Sequence, residues 1–363
     1  MSVSKTTPTP AVDTMKAVVL NAPEGVGALT WSTVPRRTPA PAEALVRVHA
    51  SSVMSADLPT LDGVSAPGPG LPGPRFPMVM GNEFVGEVVE CPGGELAVGQ
   101  KVAAGFGGYG FTRDGGQAEY VVARCRDLWP FTSDLPWTTL AALPKAFGSA
   151  EMIKEAVGWS RGEVLLVRGG STAIGTATAS LARLAGVTTV GTTRSPAKAE
   201  EMRAAGFDHV LVDGDDLAAR VVRLFPGGVD GAVEMLGYPH VVETLRCVRP
   251  GGTVCMVGIL AEQARSRATG EPQDRLAPVA PSPQWFIPAG VRLTTAMQNG
   301  VTVMKVPDPQ LDHMQEWVDG IAEGRITVPV QAVFPMSRAA DAYRLLESSD
   351  RIGRIVLEAG PAA

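Results

Sequence analysis

Between positions 163 and 186 the chain reads EVLLVRGGSTAIGTATASLARLAG, an apolar strand, a glycine-rich turn and an alanine-rich helix in immediate succession. A strand buried on both faces that runs straight into a helix is the opening unit of a parallel crossover, and few architectures accept it. Gly170 is expected to permit the tight turn and Gly175 the close packing of helix on strand. The first helical turn then offers unpaired N–H groups and the positive end of the helix dipole, which suits a phosphate. Gly170, Ser171, Thr172, Ala173, Ile174 and Gly175 are therefore the expected cradle of a dinucleotide pyrophosphate. Thr172 stands where the GxGxxG pattern has its middle glycine. Any tight strand-to-helix connection has similar needs, so the weight comes from strand, turn, helix and next strand appearing in order.

The alternation continues through EVLLVR, VTTVG, HVLV, GAVE and GTVCMV, with helices expected over 174–185, 196–205, 216–224 and 240–246 and a sixth strand at RLTTAM. That order specifies a doubly wound parallel sheet, an α/β fold with right-handed crossovers. Residues 261–283 are polar and Pro-rich and read as a mobile insertion. From 15 to about 143 the chain instead has short β-rich runs punctuated by Gly and Pro, a barrel-like β domain, with residues 59–77 as an irregular surface loop. Near the end come helices around 312–323 and 337–347 and strands around 328–333 and at RIVLEA. At 363 residues, 45% of them hydrophobic, the chain has material for two cores. A net charge of −5 without basic runs gives no field for nucleic acid or anionic lipid, and no apolar stretch is long enough to span a membrane. Cys91, Cys125, Cys247 and Cys255 are far apart in sequence with no CxxC, as expected of small buried hydrophobes in a reduced, cytoplasmic setting without a disulfide framework. The first fourteen residues read as a loose tail.

Taken in order, MKAVVL, VRVHASSV, MGNEFVGEVVE, GGQAEYVV, the GGSTAIG turn, LRCVRPGGTVCMVG, FIPAGVRLTT and GRIVLEAG resemble the medium-chain dehydrogenase/reductase superfamily, and its zinc-free quinone oxidoreductase branch in particular. The resemblance runs from Met15 onward. It implies a GroES-like β-rich catalytic domain over 15–144, completed by 299–363, and a Rossmann domain over 145–298, with the active site in the cleft between them. It also implies a homodimer paired through the sixth strand. In the family's zinc enzymes a Cys stands where this chain has Ser51 and a His where it has Asn82, and the third ligand position, near 144–146, also lacks Cys. No metal is then expected, since catalytic zinc takes three protein ligands. The chemistry that fits is hydride transfer to a quinone or an α,β-unsaturated carbonyl compound. Relatives have Asn and Tyr where this chain has Met54 and Pro59, Thr where it has Gly148, and in polyketide enoyl reductases Lys where it has Ile259.

Ser51, Met54, Asn82, Tyr109 and Ile259 are the expected substrate-pocket residues, with Phe111 beside Tyr109, although Tyr109 and Phe111 read equally as packing for their Gly-rich loop. Ser51, Asn82 and Glu83 read equally well as inert fillers of a lost metal site. Lys145, at the head of KAFGSAEM, is the candidate catalytic residue, a cation able to stabilise an enolate or phenolate. A lysine snorkelling from the hinge between domains would look the same. His49 has no partner that sequence can place beside it. The cofactor preference rests on the second strand, VTTVG, which leads into Thr193, Arg194, Ser195 and Lys198 with no acid before Glu200. NAD-dependent relatives end this strand in an acid that binds the ribose 2′-hydroxyl, whereas hydroxyls and cations suit the 2′-phosphate of NADPH. A non-catalytic NADPH-binding protein of the same fold is the alternative to the reductase.

Overall fold

The computed structural model describes residues 13–64, 73–271, 282–296, 313–347 and 352–360. Most of the N-terminal tail and parts of the 59–77 and 261–283 segments lie outside them.

Eight strands come first: β1 (Thr14–Leu20), β2 (Leu29–Pro35), β3 (Glu43–Val53), β4 (Met78–Val79), β5 (Phe84–Glu90), β6 (Lys101–Ala104), β7 (Tyr120–Arg124) and β8 (Trp129–Phe131). The short helices α1 (Leu58–Leu61) and α2 (Trp137–Leu140) and the longer α3 (Pro144–Val157) accompany them. Residues 58–61 are thus a buried helical turn, where the sequence suggested irregular surface loop, because Leu58 and Leu61 pack into the β core. The six strands of the second sheet are β9 (Val164–Arg168), β10 (Thr188–Thr193), β11 (His209–Val212), β12 (Val229–Glu234), β13 (Val248–Met256) and β14 (Arg292–Thr294). Between them run α4 (Ala173–Leu184), α5 (Ala199–Ala204), α6 (Leu217–Leu224), α7 (Tyr238–Arg246) and α8 (Leu260–Thr269). Helices α9 (His313–Ala322) and α10 (Ala339–Glu347) flank β15 (Val330–Pro335), and β16 (Arg354–Glu358) closes the chain.

The second sheet has the order β11-β10-β9-β12-β13-β14, all parallel, with its reversal of direction between β9 and β12. In such a sheet ligands bind beyond the carboxyl ends of the strands at that reversal. The first sheet runs β15-β16-β3-β5-β6-β8 with β7 also on β3, and β1, β2 and β4 form a separate three-stranded sheet. Strand β3 organises it: β5 lies along one side, and β7 and β16 share the other.

The two lobes share a core. Ala50, Val85 and Val356 of the first sheet, Phe147 and Ala150 of α3, Ala177 and Leu181 of α4 and Trp317 of α9 form one buried cluster. Helix α3 lies on α4 through small residues, so the head of α3 and the turn before α4 belong to one packed unit. The 261–283 segment starts as α8, not as a mobile insertion. Its Arg267 reaches back to Asp62 and to Glu347, and Tyr238 N–H donates to Glu262 at 2.8 Å, so polar residues here serve as tethers.

Candidate functional site

The turn between β9 and α4 has the local chemistry of an anion cradle. Thr172 is the N-cap of α4, its Oγ1 accepting the Gly175 N–H at 3.0 Å. The N–H groups of Ala173 and Ile174 have no acceptor among the described residues. Ser171, Thr172, Ala173 and Ile174 are half-buried at the mouth of the turn. The positive backbone angle that the turn requires falls on Gly169, with φ +84°, and not on Gly170. Gly170 is needed for space: a Cβ there would meet Met202, Phe207 and the Gly191 backbone at 2.8–3.1 Å. A Cβ at Gly175 would lie 2.7 Å from the Gly170 carbonyl oxygen, which is the close helix-to-strand approach expected of it. A turn with unpaired N–H groups at the head of a helix fits a dinucleotide pyrophosphate.

Beyond β10, Thr193 Oγ1 accepts the Ser195 N–H at 3.2 Å and shapes the next turn. Arg194 projects into solvent and Ser195 is half-buried, while Lys198 is buried, with contacts of its own in the short helical turn Pro196–Lys198. Sequence reasoning missed Arg168. This guanidinium, at the end of β9, is buried against Asp213 at 2.9 Å, His240 O at 2.9 Å and Thr244 Oγ1 at 3.2 Å. It ties the carboxyl ends of β9 and β12 together through Glu234, whose own carboxylate accepts the Leu236 N–H at 2.6 Å. Burial raises the pKa of Glu234, against the opposing pull of Thr244, Arg168 and those N–H groups.

The second group of residues lies at the head of α3. Fully buried Asp57 accepts the Met54 N–H at 3.0 Å, the Tyr343 hydroxyl at 3.0 Å and the Asn82 side-chain amide. Gln117 donates to the Tyr343 hydroxyl at 2.8 Å. Burial raises the pKa of Asp57 while these donors and Lys145 pull it down. Lys145 is half-buried, its ammonium 4.7 Å from the centre of the Phe106 ring. Burial lowers its pKa to about 8, and the charge of Asp57 resists that shift. Glu83 secures the head of α3: one oxygen accepts the Lys145 backbone N–H at 2.7 Å, and the other meets Arg354 and Ser52. A carboxylate at a helix N-terminus also complements the dipole. Gly148, one turn into α3, admits the Phe106 ring, since a Cβ there would meet it at 2.6 Å.

Asn82, Met54 and Lys145 therefore gather around Asp57, which the sequence reading did not single out. Its only local signal is an acid placed three residues after Met54; Tyr343 and Gln117 join it through tertiary packing alone. Ser51 does not belong to this group. It is enclosed in β3 between β5 and β16, its hydroxyl donating to the Glu83 carbonyl at 2.6 Å. Tyr109 is also a core residue and not a pocket wall. Its hydroxyl donates to Asp127 at 3.0 Å and accepts the Arg124 N–H at 3.1 Å, and its ring meets Phe84 edge-on. Burial and Asp127 raise its pKa, and Phe111 is buried as well. Ile259 caps α8 and is partly exposed. His49 has a carboxylate after all, Glu87 at 3.2 Å, and stacks on Trp137.

Two family models match, "Alcohol dehydrogenase GroES-like domain" over residues 40–133 and "Zinc-binding dehydrogenase" over residues 173–275, together more than half of the chain. The polyketide synthase GfsB of Streptomyces halstedii is 28% identical over 79% of the chain, which spans 5% of that much longer protein. Quinone oxidoreductase of Mus musculus is 23% identical, with 87% of this chain and 88% of the relative covered. A crystal structure of AibC superposes with a TM-score of 0.78 at 29% identity, covering 96% of each chain. The two lobes, the glycine-rich turn and these matches show that the chain belongs to the medium-chain dehydrogenase/reductase superfamily, in its quinone oxidoreductase-like branch.

Proposed function

We propose that the chain is an NADPH-dependent reductase of a small electrophilic molecule, a quinone or an α,β-unsaturated carbonyl compound, and that it works without a catalytic metal. The supporting observation is the grouping of Met54, Asn82 and Lys145 around Asp57. Of this group only the Asp57 carboxylate is an ordinary zinc donor, and it is taken up by the Met54 N–H and the Asn82 amide, whereas catalytic zinc takes three N, S or O protein ligands. The group does provide a positive charge beside a buried carboxylate at the head of α3.

NADPH, when bound, supplies a hydride from its nicotinamide ring. The chain's own residues manage the charge that this creates on the substrate. The Lys145 ammonium donates a hydrogen bond to the carbonyl or quinone oxygen as negative charge develops there, the kind of electrostatic assistance that commonly dominates catalysis. With a pKa of about 8 its proton is held loosely enough to pass to the oxygen, and Nζ regains a proton from water. Asp57 keeps Lys145 cationic before transfer, and Asn82, Tyr343 and the Met54 N–H fix the carboxylate in place. Thr193, Arg194, Ser195 and Lys198 are the proposed ligands of the 2′-phosphate.

The experiment is a panel of quinones and enones incubated with NADPH and a strong chelator, followed by loss of the reduced-nicotinamide absorbance. Turnover of at least one acceptor class, undiminished by chelation, is expected. Tight NADPH binding without turnover on any acceptor would favour the non-catalytic binding protein, and loss of turnover in chelator by protein whose fold and NADPH affinity are unchanged would overturn the metal-free reading.

A further inference from the structure

Cys91 follows β5 and Cys125 follows β7, strands that flank β3 at the end farthest from Asp57. Thirty-four positions apart in sequence, their sulfurs lie 3.6 Å from each other, and both are half-buried. Glu95 turns back over them, its Oε2 3.4 Å from Cys91 Sγ and 3.8 Å from Cys125 Sγ. That return depends on a glycine: a Cβ at Gly93 would sit 2.2 Å from the same Glu95 oxygen. No arginine or lysine pairs with Glu95 among the described residues. Three groups that are all anionic when deprotonated thus converge without a countercharge, which is unfavourable unless a cation joins them.

We propose that Cys91, Cys125 and Glu95 bind one divalent, thiophilic cation of the zinc class, with water in the fourth position. The spacing suits it. Metal–sulfur bonds of about 2.3 Å and metal–oxygen bonds of about 2.0–2.2 Å in a tetrahedron place the sulfurs about 3.8 Å apart and each sulfur about 3.6 Å from the oxygen. Binding deprotonates both thiols and releases two protons to solvent, leaving a site with two thiolates, one carboxylate and the dication. The site lies toward the opposite end of β3 from the Lys145 group and would brace the β lobe without taking part in the reaction.

The test is titration of the reduced, full-length protein with cobalt(II). The expected result is a thiolate-to-cobalt charge-transfer band that saturates at one equivalent, is displaced by zinc, and appears with release of two protons per site. Joint replacement by Cys91→Ser and Cys125→Ser abolishes the band, while Glu95→Gln keeps it and weakens binding at least ~10-fold. Apparent affinity rises steeply with pH because two protons leave. Absence of the band, a stoichiometry unchanged in the double variant, or a Cys91–Cys125 disulfide in freshly purified protein would each overturn the proposal.

Discussion

Asp57 is wholly enclosed yet accepts three hydrogen bonds, and the charges of Lys145 and Arg354 act on it. Asp57 and Lys145 set each other's ionisation: burial drives the lysine down, and the carboxylate drives it back up. Asp57→Asn removes the upward pull, so the ammonium of Lys145 should be lost at lower pH. The alkaline limb of kcat/KM should move below its wild-type position near pH 8, with KM for NADPH little changed. A limb that stays in place would show that Asp57 does not govern Lys145. Arg194 is a different kind of residue, exposed and held by no ion pair among the described residues. Its proposed task is selective, so Arg194→Ala should raise KM for NADPH about tenfold, equivalent to ~1.4 kcal/mol, and leave KM for NADH nearly unchanged. Equal effects on the two cofactors would remove this turn from 2′-phosphate recognition. These residues differ in how readable they are from sequence. Lys145 and the turn after β10 stand out because the chemistry is local, whereas Asp57, Gln117 and Tyr343 lie up to 286 positions apart and meet only in three dimensions.

At the level of elements, periodicity and glycine placement carried most of the information. The six strands of the parallel sheet and helices α4 to α7 are where the alternation predicts, because each carries an apolar run bounded by turn residues, whereas α3 went unpredicted. The failures have physical causes. Helix α8 is polar and looked like loop, and it is held by Arg267, Glu262 and their partners in place of an apolar face. Tyr109 looked like pocket wall because glycines surround it, but those glycines let the ring sink into the β core and reach Asp127. The cysteines looked like isolated fillers because sequence separation hides Cys91 and Cys125 from each other on either side of β3. Among the described residues strand β14 ends the parallel sheet, and no described strand pairs with its outer edge. We propose that this edge pairs with its copy to form a homodimer, since an unpaired edge is a template for another strand. Light scattering on the purified protein should give twice the chain mass, and Leu293→Pro, which disrupts β14 itself, should shift it toward monomer. A monomeric wild type would contradict the pairing.

Across the whole molecule, the packed cluster between the lobes sets the dinucleotide turn on one side of α3 and α4 and the Lys145 group at the head of α3. The fold class was legible because the opening strand-turn-helix unit admits few alternatives. The Asp57 group was not legible, since nothing in a one-dimensional pattern brings together residues next to β3 and β5, on α3 and on α10. The account stands on Lys145 serving as the charge that a metal supplies in other members of the superfamily. The most direct test is the pH dependence of kcat/KM for NADPH-driven reduction of the best acceptor, measured in chelator for the wild type and for Lys145→Ala. The wild type should lose activity with the slope of one proton as pH rises through about 8, and the variant should be at least ~100-fold slower and without that limb. The same limb in both proteins, or a variant as fast as the wild type, would contradict it.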